Sequence, residues 1–267
     1  MDHPRHPVKT ALISDIHGNL VALEAVLADL DRERPDRIVC LGDVAATGPQ
    51  PRETIERLRV LGCPVVMGNT DALLLAPETF EATVAKLKSW GLPEGAAHAI
   101  AAIDIWCAQV LAASDLDYMH TFRETIDLSL GGGATLLCFH GSPRSNTEVI
   151  VSTTPDEQLE AMLSGFGATV LAGGHTHAQL LRRYKDRVII NPGSVGLPYE
   201  ILPSGQARSL PWAEWALIDR DDGGMRVEFR RAPFDVGAVV AAALRSGMPA
   251  VEWWTKGWTG HERGNQP

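Results

Sequence analysis

A chain of 267 residues is long enough to bury one large core, or two at most. Its 33 acidic and 24 basic side chains give a formal net charge of −9, which excludes the broad basic surface of a bulk nucleic-acid binder and disfavours adhesion to anionic lipid. No window approaches the ~18 apolar residues of a membrane span, the first residues carry no apolar signal-like stretch, and the four cysteines (Cys40, Cys63, Cys107, Cys138) lack metal-type spacing. The expectation is a protein of the reducing cytoplasm with no membrane partner.

The apolar run "VKTALIS" (Val8–Ser14) reads as a strand. Leu20, Leu23, Val26, Leu27 and Leu30 then fall on one face of a helix. "RIVCLG" (Arg37–Gly42) is the next strand, "PRETIERLRVLG" the next helix and "PVVMG" (Pro64–Gly68) a third strand. From Ala76 to about Phe122 the pattern is Ala-rich and helical, an insertion that interrupts the rhythm as a cap would. "TLLCFHG" resumes the strands. In "TPDEQLEAMLSGFG" a helix is expected with Thr154 as N-cap, Pro155 in the first position and Glu157 closing a capping box. "ATVLAGG" and "RVIINPGS" are further strands, and "WAEWALIDRDDGGMRVEFRRAPF" is a hairpin turning at Asp222–Gly223. Strands alternating with helices argue for an α/β protein with a parallel or mixed sheet. Residues 8–249 are expected as a single domain and 250–267 as a tail, whose "EWWTKGW" is the candidate surface for a homo-oligomer.

The chemistry gathers at the strand ends. Asp15 and His17 follow the first strand, Asp43 the second and Asn69 the third; "FHG" supplies His140 and "GGHTH" supplies His175 and His177. Sites in open α/β sheets lie outside the carboxyl ends of the strands, so these scattered residues can meet. Residues i and i+2 of extended chain point the same way, which would converge Asp15 with His17 and His175 with His177. Singly, Asp43 reads equally as a helix cap, Asn69 as a turn residue and His140 as a hydrogen-bonded core histidine; five such segments in succession argue for ligands. Carboxylate, imidazole and one amide suit divalent metals of borderline hardness. Seven candidates are too many for one ordinary site and suit two metals sharing a carboxylate. With one hydroxide such a centre carries a charge of about +1, which would attract a phosphate ester. His3, His6 and His261 lie near the termini, and His98 and His120 in the insertion, without ligand spacing.

As a set, "DIHGN", "GD", "GNTD", "FHG", "GGHTH" and "NPGSVG" resemble the calcineurin-like metallophosphoesterase superfamily, in its small bacterial and archaeal phosphodiesterase-like branch. The resemblance implies a four-layer α/β/β/α sandwich with a dinuclear centre. It assigns Asp15, His17 and His177 to one metal, Asn69, His140 and His175 to the other, and Asp43 to both, with a bridging hydroxide attacking phosphorus. Mn²⁺ or Fe²⁺ is favoured, with Zn²⁺ or Ni²⁺ as alternatives. Asn19 and Arg144 are the candidates on the substrate side. One position departs from the pattern: Thr70 stands where many family phosphatases have histidine, and a threonine hydroxyl is too weak an acid to protonate a leaving group. That departure leans the reading towards a phosphodiesterase acting on a small, nucleotide-like phosphate ester. A phosphomonoesterase or protein phosphatase is the alternative, and a non-catalytic scaffold of the same fold a third.

Overall fold

The computed structural model describes residues 8–203, 207–221 and 224–259. β1 (Val8–Ile13) leads into α1 (Leu20–Glu33), and β2 (Arg37–Cys40) into α2 (Pro51–Leu61). A helical stretch follows: α3 (Asn69–Leu75), α4 (Phe80–Ser89), α5 (Glu94–Val110) and α6 (Ala113–Met119). The chain continues through β3 (Ile126–Gly131), β4 (Ala134–Cys138), α7 (Asp156–Leu163), β5 (Val170–Ala172), β6 (Leu180–Tyr184) and β7 (Arg187–Asn191). A short pair, β8 (Tyr199–Ile201) and β9 (Ala207–Ser209), precedes the long strands β10 (Trp212–Asp221) and β11 (Gly224–Pro233), then α8 (Val236–Ser246) and α9 (Val251–Thr259).

Two main sheets form, in the orders β11-β10-β1-β2 and β3-β4-β5-β7-β6, with β8-β9 a separate ribbon. Strand alternation decides what each face meets. In β1, Ala11 and Ile13 face the helices while Leu12 faces the other sheet; in β4, Leu136 and Cys138 face inward while Leu137 faces α7. Leu12, Val39, Leu136, Val170, Ile190 and Ile218, from both sheets, make the inter-sheet core. α7 covers the second sheet through Leu159 and Leu163, and α1, α2, α8 and α9 cover the first. The result is the expected four-layer α/β/β/α arrangement.

Two sequence readings change. Pro64–Gly68 is no full strand: Val65 bridges Cys40 and Val66 bridges Arg123, one residue pair each. α7 starts one residue late. Pro155 is its N-cap, and the first helical bond runs from Leu159 N–H to the Pro155 carbonyl at 3.0 Å. Thr154 is engaged elsewhere, its hydroxyl accepting from Val151 N–H and its carbonyl from Arg182, so no capping box forms. The α4–α6 stretch is helical as expected and packs on the body, with Ile103 and Cys107 of α5 entering the main core. Two of the three tail tryptophans, Trp254 and Trp258, are likewise buried in that core, leaving Trp253 as the exposed tryptophan of "EWWTKGW", beside the exposed Glu252 and Lys256. The turn at Asp222–Gly223 and His3, His6 and His261 lie outside the described residues, although Asp221 pairs with Gly224 across that turn. Among the described residues no single helix is long and apolar enough to cross a membrane.

Candidate metal centre

The loops after β1 and β2 are zipped together by backbone. Asp15, His17 and Gly18 N–H donate to the carbonyls of Gly42, Asp43 and Val44 at 2.9, 3.0 and 2.9 Å. This pairing needs a backbone that curls back, and the residues adopt one: φ is +55° at Asp15, +48° at His17, +56° at Asp43, +69° at His175 and +57° at His177. The side chains of the D-x-H and H-x-H pairs therefore converge through left-handed turns, not through an extended pleat as the i, i+2 spacing suggested. Each such residue costs on the order of 1 kcal/mol. Five of them clustered at one point mark where the fold holds a strained arrangement in place.

All seven candidate ligands meet there. Asp15, His17 and His177 present donor atoms within 4.8 Å of one another, and so do Asp43, His140 and His175. Asp43 lies between the groups, its Oδ2 3.7 Å from His17 Nε2 and 3.4 Å from His140 Nε2, while its Oδ1 accepts from Thr70 N–H at 2.9 Å. Asn69 Oδ1 lies 3.0 Å from His140 Nε2.

Backbone carbonyls choose the tautomers. The Nδ1 atoms of His17, His140 and His177 lie 3.0, 2.7 and 2.8 Å from the carbonyls of Ala46, Leu41 and Leu197. A carbonyl only accepts, so each Nδ1 carries a proton and each Nε2 is turned towards the centre. His17 Nε2 and His177 Nε2 then face each other at 3.1 Å, a pair that needs a proton or a cation between them. Burial, helped by repulsion from His177, pushes His17 down to about 4. Burial also lowers His140, but the Asp43 carboxylate overrides it and lifts that ring to about 10. His177 is raised by Asp15 against its own burial, and both carboxylates are pulled below their usual range by the histidines against theirs. The cluster calls for positive charge, and its nitrogen and oxygen donors fit divalent cations.

Asn19 is wholly buried and serves the scaffold: its Oδ1 accepts from Ala22 N–H to cap α1, and its Nδ2 donates to the Gly196 carbonyl at 2.9 Å. Arg144 is the candidate not brought to the cluster. Its Nε and Nη2 are bound to Glu148 and its Nη1 to the Ala161 carbonyl.

Sequence reading gave no task to five positioning residues. Asp71 accepts the N–H groups of Asp43, Val44 and Gly68 at 2.8, 2.9 and 3.0 Å; its place three residues after Gly68, ahead of an apolar run, was the available signal. Asn191 donates to the Gly174 carbonyl, and Ser194 to the Asp15 carbonyl, so "NPGSVG" ties the first and last ligand loops together. Asp104 of α5 accepts from Thr47 Oγ1 at 2.7 Å, while the Trp254 indole of α9 donates to the Thr47 carbonyl at 2.8 Å, next to the Ala46 carbonyl that orients His17.

Burial pushes the Asp104 carboxyl up to about 7, against the pull of its Thr47 hydrogen bond. The unfolded chain releases this proton near pH 4 and the folded chain keeps it to about 7, so stability falls as pH rises through that window. Asp104→Asn is expected to melt above the parent at pH 8 and level with it at pH 4, in thermal denaturation at the two pH values.

A family model for the calcineurin-like phosphoesterase superfamily domain matches residues 8–207. An uncharacterized protein of Methanocaldococcus jannaschii is 27% identical over 258 residues, covering 91% of this chain and 94% of its own. A symmetrical bis(5'-nucleosyl)-tetraphosphatase of Pectobacterium carotovorum is 39% identical over a 72-residue stretch, 26% of each chain. Among solved structures, a metallophosphoesterase from Sphaerobacter thermophilus is 28% identical with a TM-score of 0.70, covering 94% of this chain and 98% of that one. A hypothetical protein of Pyrococcus horikoshii shares the fold with a TM-score of 0.74 at 21% identity, over 93% and 96% of the two chains. With three quarters of its length matched by the family model and a histidine–aspartate cluster at its strand ends, the chain belongs to the calcineurin-like phosphoesterase superfamily.

Proposed function

We propose that the chain is a metal-dependent phosphodiesterase. In this reading it holds two divalent cations: Asp15, His17 and His177 on one, Asn69, His140 and His175 on the other, and Asp43 on both. The observation that carries the reading is the opposed pair of Nε2 atoms on His17 and His177, with Asp43 Oδ2 facing both donor groups. When bound, the cations supply the Lewis acidity that polarises a phosphate ester and activates the attacking water. The chain's own part is to hold the donors in place before substrate arrives. Three carbonyls orient the imidazoles, and Thr70 N–H holds one oxygen of Asp43 so that the other faces inward. Mn²⁺ or Fe²⁺ is our assignment for the metals, and the four free thiols suit work in a reducing cytoplasm.

The diester preference rests on Thr70. Its hydroxyl is buried with no hydrogen-bond partner in the protein, and it cannot deliver a proton near neutral pH. Leaving groups that depart as anions suit such a site. The local similarity to a nucleotide tetraphosphatase supports a nucleotide-like ester.

The test is hydrolysis of bis-p-nitrophenyl phosphate against p-nitrophenyl phosphate by protein stripped with chelator and reloaded with Mn²⁺. Diester turnover lost on stripping and regained with metal is expected. Preference for the monoester would move the assignment to a phosphomonoesterase, and bound metal with no turnover of either ester would leave a scaffold. Thr70→His is expected to speed hydrolysis of alkyl esters, by up to the order of 10²-fold if a positioned acid is what they lack. It should change p-nitrophenyl esters little. Equal effects on both classes in steady-state kinetics would mean that leaving-group protonation is not limiting.

A further inference from the structure

Beside His177 the surface opens into a cleft of about 570 Å³ between the β8–β9 ribbon and the start of β10. That is the size of a small-molecule site. Apart from His177, the residues lining it take no part in the metal cluster. Two aromatic side chains border it: Tyr199, 45% exposed and with its ring centroid 5.7 Å from that of His177, and Trp212. Its charges cancel in pairs. Arg208 is bound to Glu200, and Arg231 lies 3.3 Å from Glu214 while stacking over the Trp212 ring at 4.8 Å.

This balance selects the ligand. A subsite for a further phosphate would present guanidinium groups without carboxylate partners, and here each has one. A purely aliphatic group would cover the Glu200–Arg208 and Glu214–Arg231 edges without replacing their contacts with water, at the cost of desolvating polar groups. A flat, uncharged heteroaromatic ring satisfies both requirements: its faces stack on Tyr199 and the guanidinium–indole pair, and its edge donors and acceptors meet the ion pairs.

We propose that this cleft seats the nucleobase of a nucleoside phosphodiester whose phosphate lies at the histidine–aspartate cluster; the inference rests on the phosphodiesterase reading above. His177 stands at the boundary, with one ring edge at the cluster and its ring beside Tyr199, so base and phosphate would sit on its two sides.

The experiment has a binding arm that needs no turnover. Adenosine, with ribose as control, is titrated into the full chain loaded with Zn²⁺ and followed by NMR through the Trp212 indole N–H. Adenosine is expected to shift that resonance and ribose to leave it unchanged. Tyr199→Ala, at an exposed position whose truncation opens no core, is expected to weaken adenosine binding at least fivefold, about the loss of one base stack. Adenosine acting no differently from ribose, or Tyr199→Ala and Trp212→Leu both binding it like the parent, would overturn the proposal. In the kinetic arm, the ratio of kcat/KM for thymidine 5'-p-nitrophenyl phosphate over methyl p-nitrophenyl phosphate should fall at least fivefold in Tyr199→Ala; an unchanged ratio would also overturn it. Adenosine binding with no hydrolysis of any diester would sink the phosphodiesterase reading while supporting the base cleft.

Discussion

Asp43→Asn is expected to bring diester turnover down by three orders of magnitude or more while the protein stays folded. Residues that merely orient a ligand typically cost about 10–100-fold when removed, and a group presenting one oxygen to both donor sets should cost more. Asparagine keeps the size of the side chain and can still accept from Thr70 N–H, so the loops after β1 and β2 keep their pairing. What disappears is the negative charge that draws His17 and His140 together and that a pair of cations would share. Steady-state kinetics with bis-p-nitrophenyl phosphate, metal content per chain and circular dichroism together give the answer. Full activity would remove Asp43 from the mechanism; lost activity with an unfolded chain would point to a structural role instead.

The second large effect concerns residues without side chains. Gly48 and Gly196 press on the Asp15–His17 turn from different parts of the chain. A Cβ on Gly48 would sit 1.7 Å from the His17 carbonyl oxygen, and one on Gly196 would sit 1.7 Å from that of Ile16. Both neighbours are backbone, fixed by the hydrogen bonds of the paired loops, and cannot swing aside as a long side chain would. Gly196→Ala and Gly48→Ala are each expected to cost about 3 kcal/mol, the upper end of typical overpacking, and to lower Tm by roughly 5–10 °C. Metal binding should weaken with them, since the turn carries two of the donors. Gly95→Ala is the control, because a Cβ there meets nothing within 4 Å and the position lies inside α5; it should be neutral or stabilising by up to about 1 kcal/mol. Urea unfolding of the three variants decides. A loss at Gly95 equal to that at Gly196 would show that the measured cost is not steric.

The candidate ligands were legible because their residue types are costly at the end of an apolar run. A buried aspartate after "ALIS" or two imidazoles after "VLAGG" ask for an explanation that an exposed lysine does not. The main strands were legible for a related reason: two packed sheets demand alternating apolar faces, as Ala11, Leu12 and Ile13 display. The convergence of Asp15 with His17 was drawn from the wrong backbone, since sequence spacing carries no sign of φ and aspartate and histidine are residues that tolerate the left-handed region. Asp71 was read as part of "GNTD" and given no task, because its three partners are backbone N–H groups, which no side-chain pattern reveals. The β8–β9 ribbon was missed because three-residue strands are too short for a period to show. α9 did leave a sign: Val251, Trp254 and Trp258 repeat at helical spacing, and the polar residues around them drew the reading towards a tail.

The indole of Trp254 reaches the carbonyl of Thr47 across 207 positions of sequence, beside the bond that orients His17. At synthesis rates of about 5–20 residues per second, Thr47 emerges roughly 10–40 s before its partner exists. Through that interval the loop carrying Asp43 can pair with the Asp15 loop but lacks the anchor that α9 provides, and Trp254 and Trp258 have yet to cover the core beneath it. A nascent chain can thus possess its early candidate ligands without the geometry that makes them a site. On the two-cation reading, metal capture would be deferred towards the end of translation, when the helix that fastens the second loop is at last available.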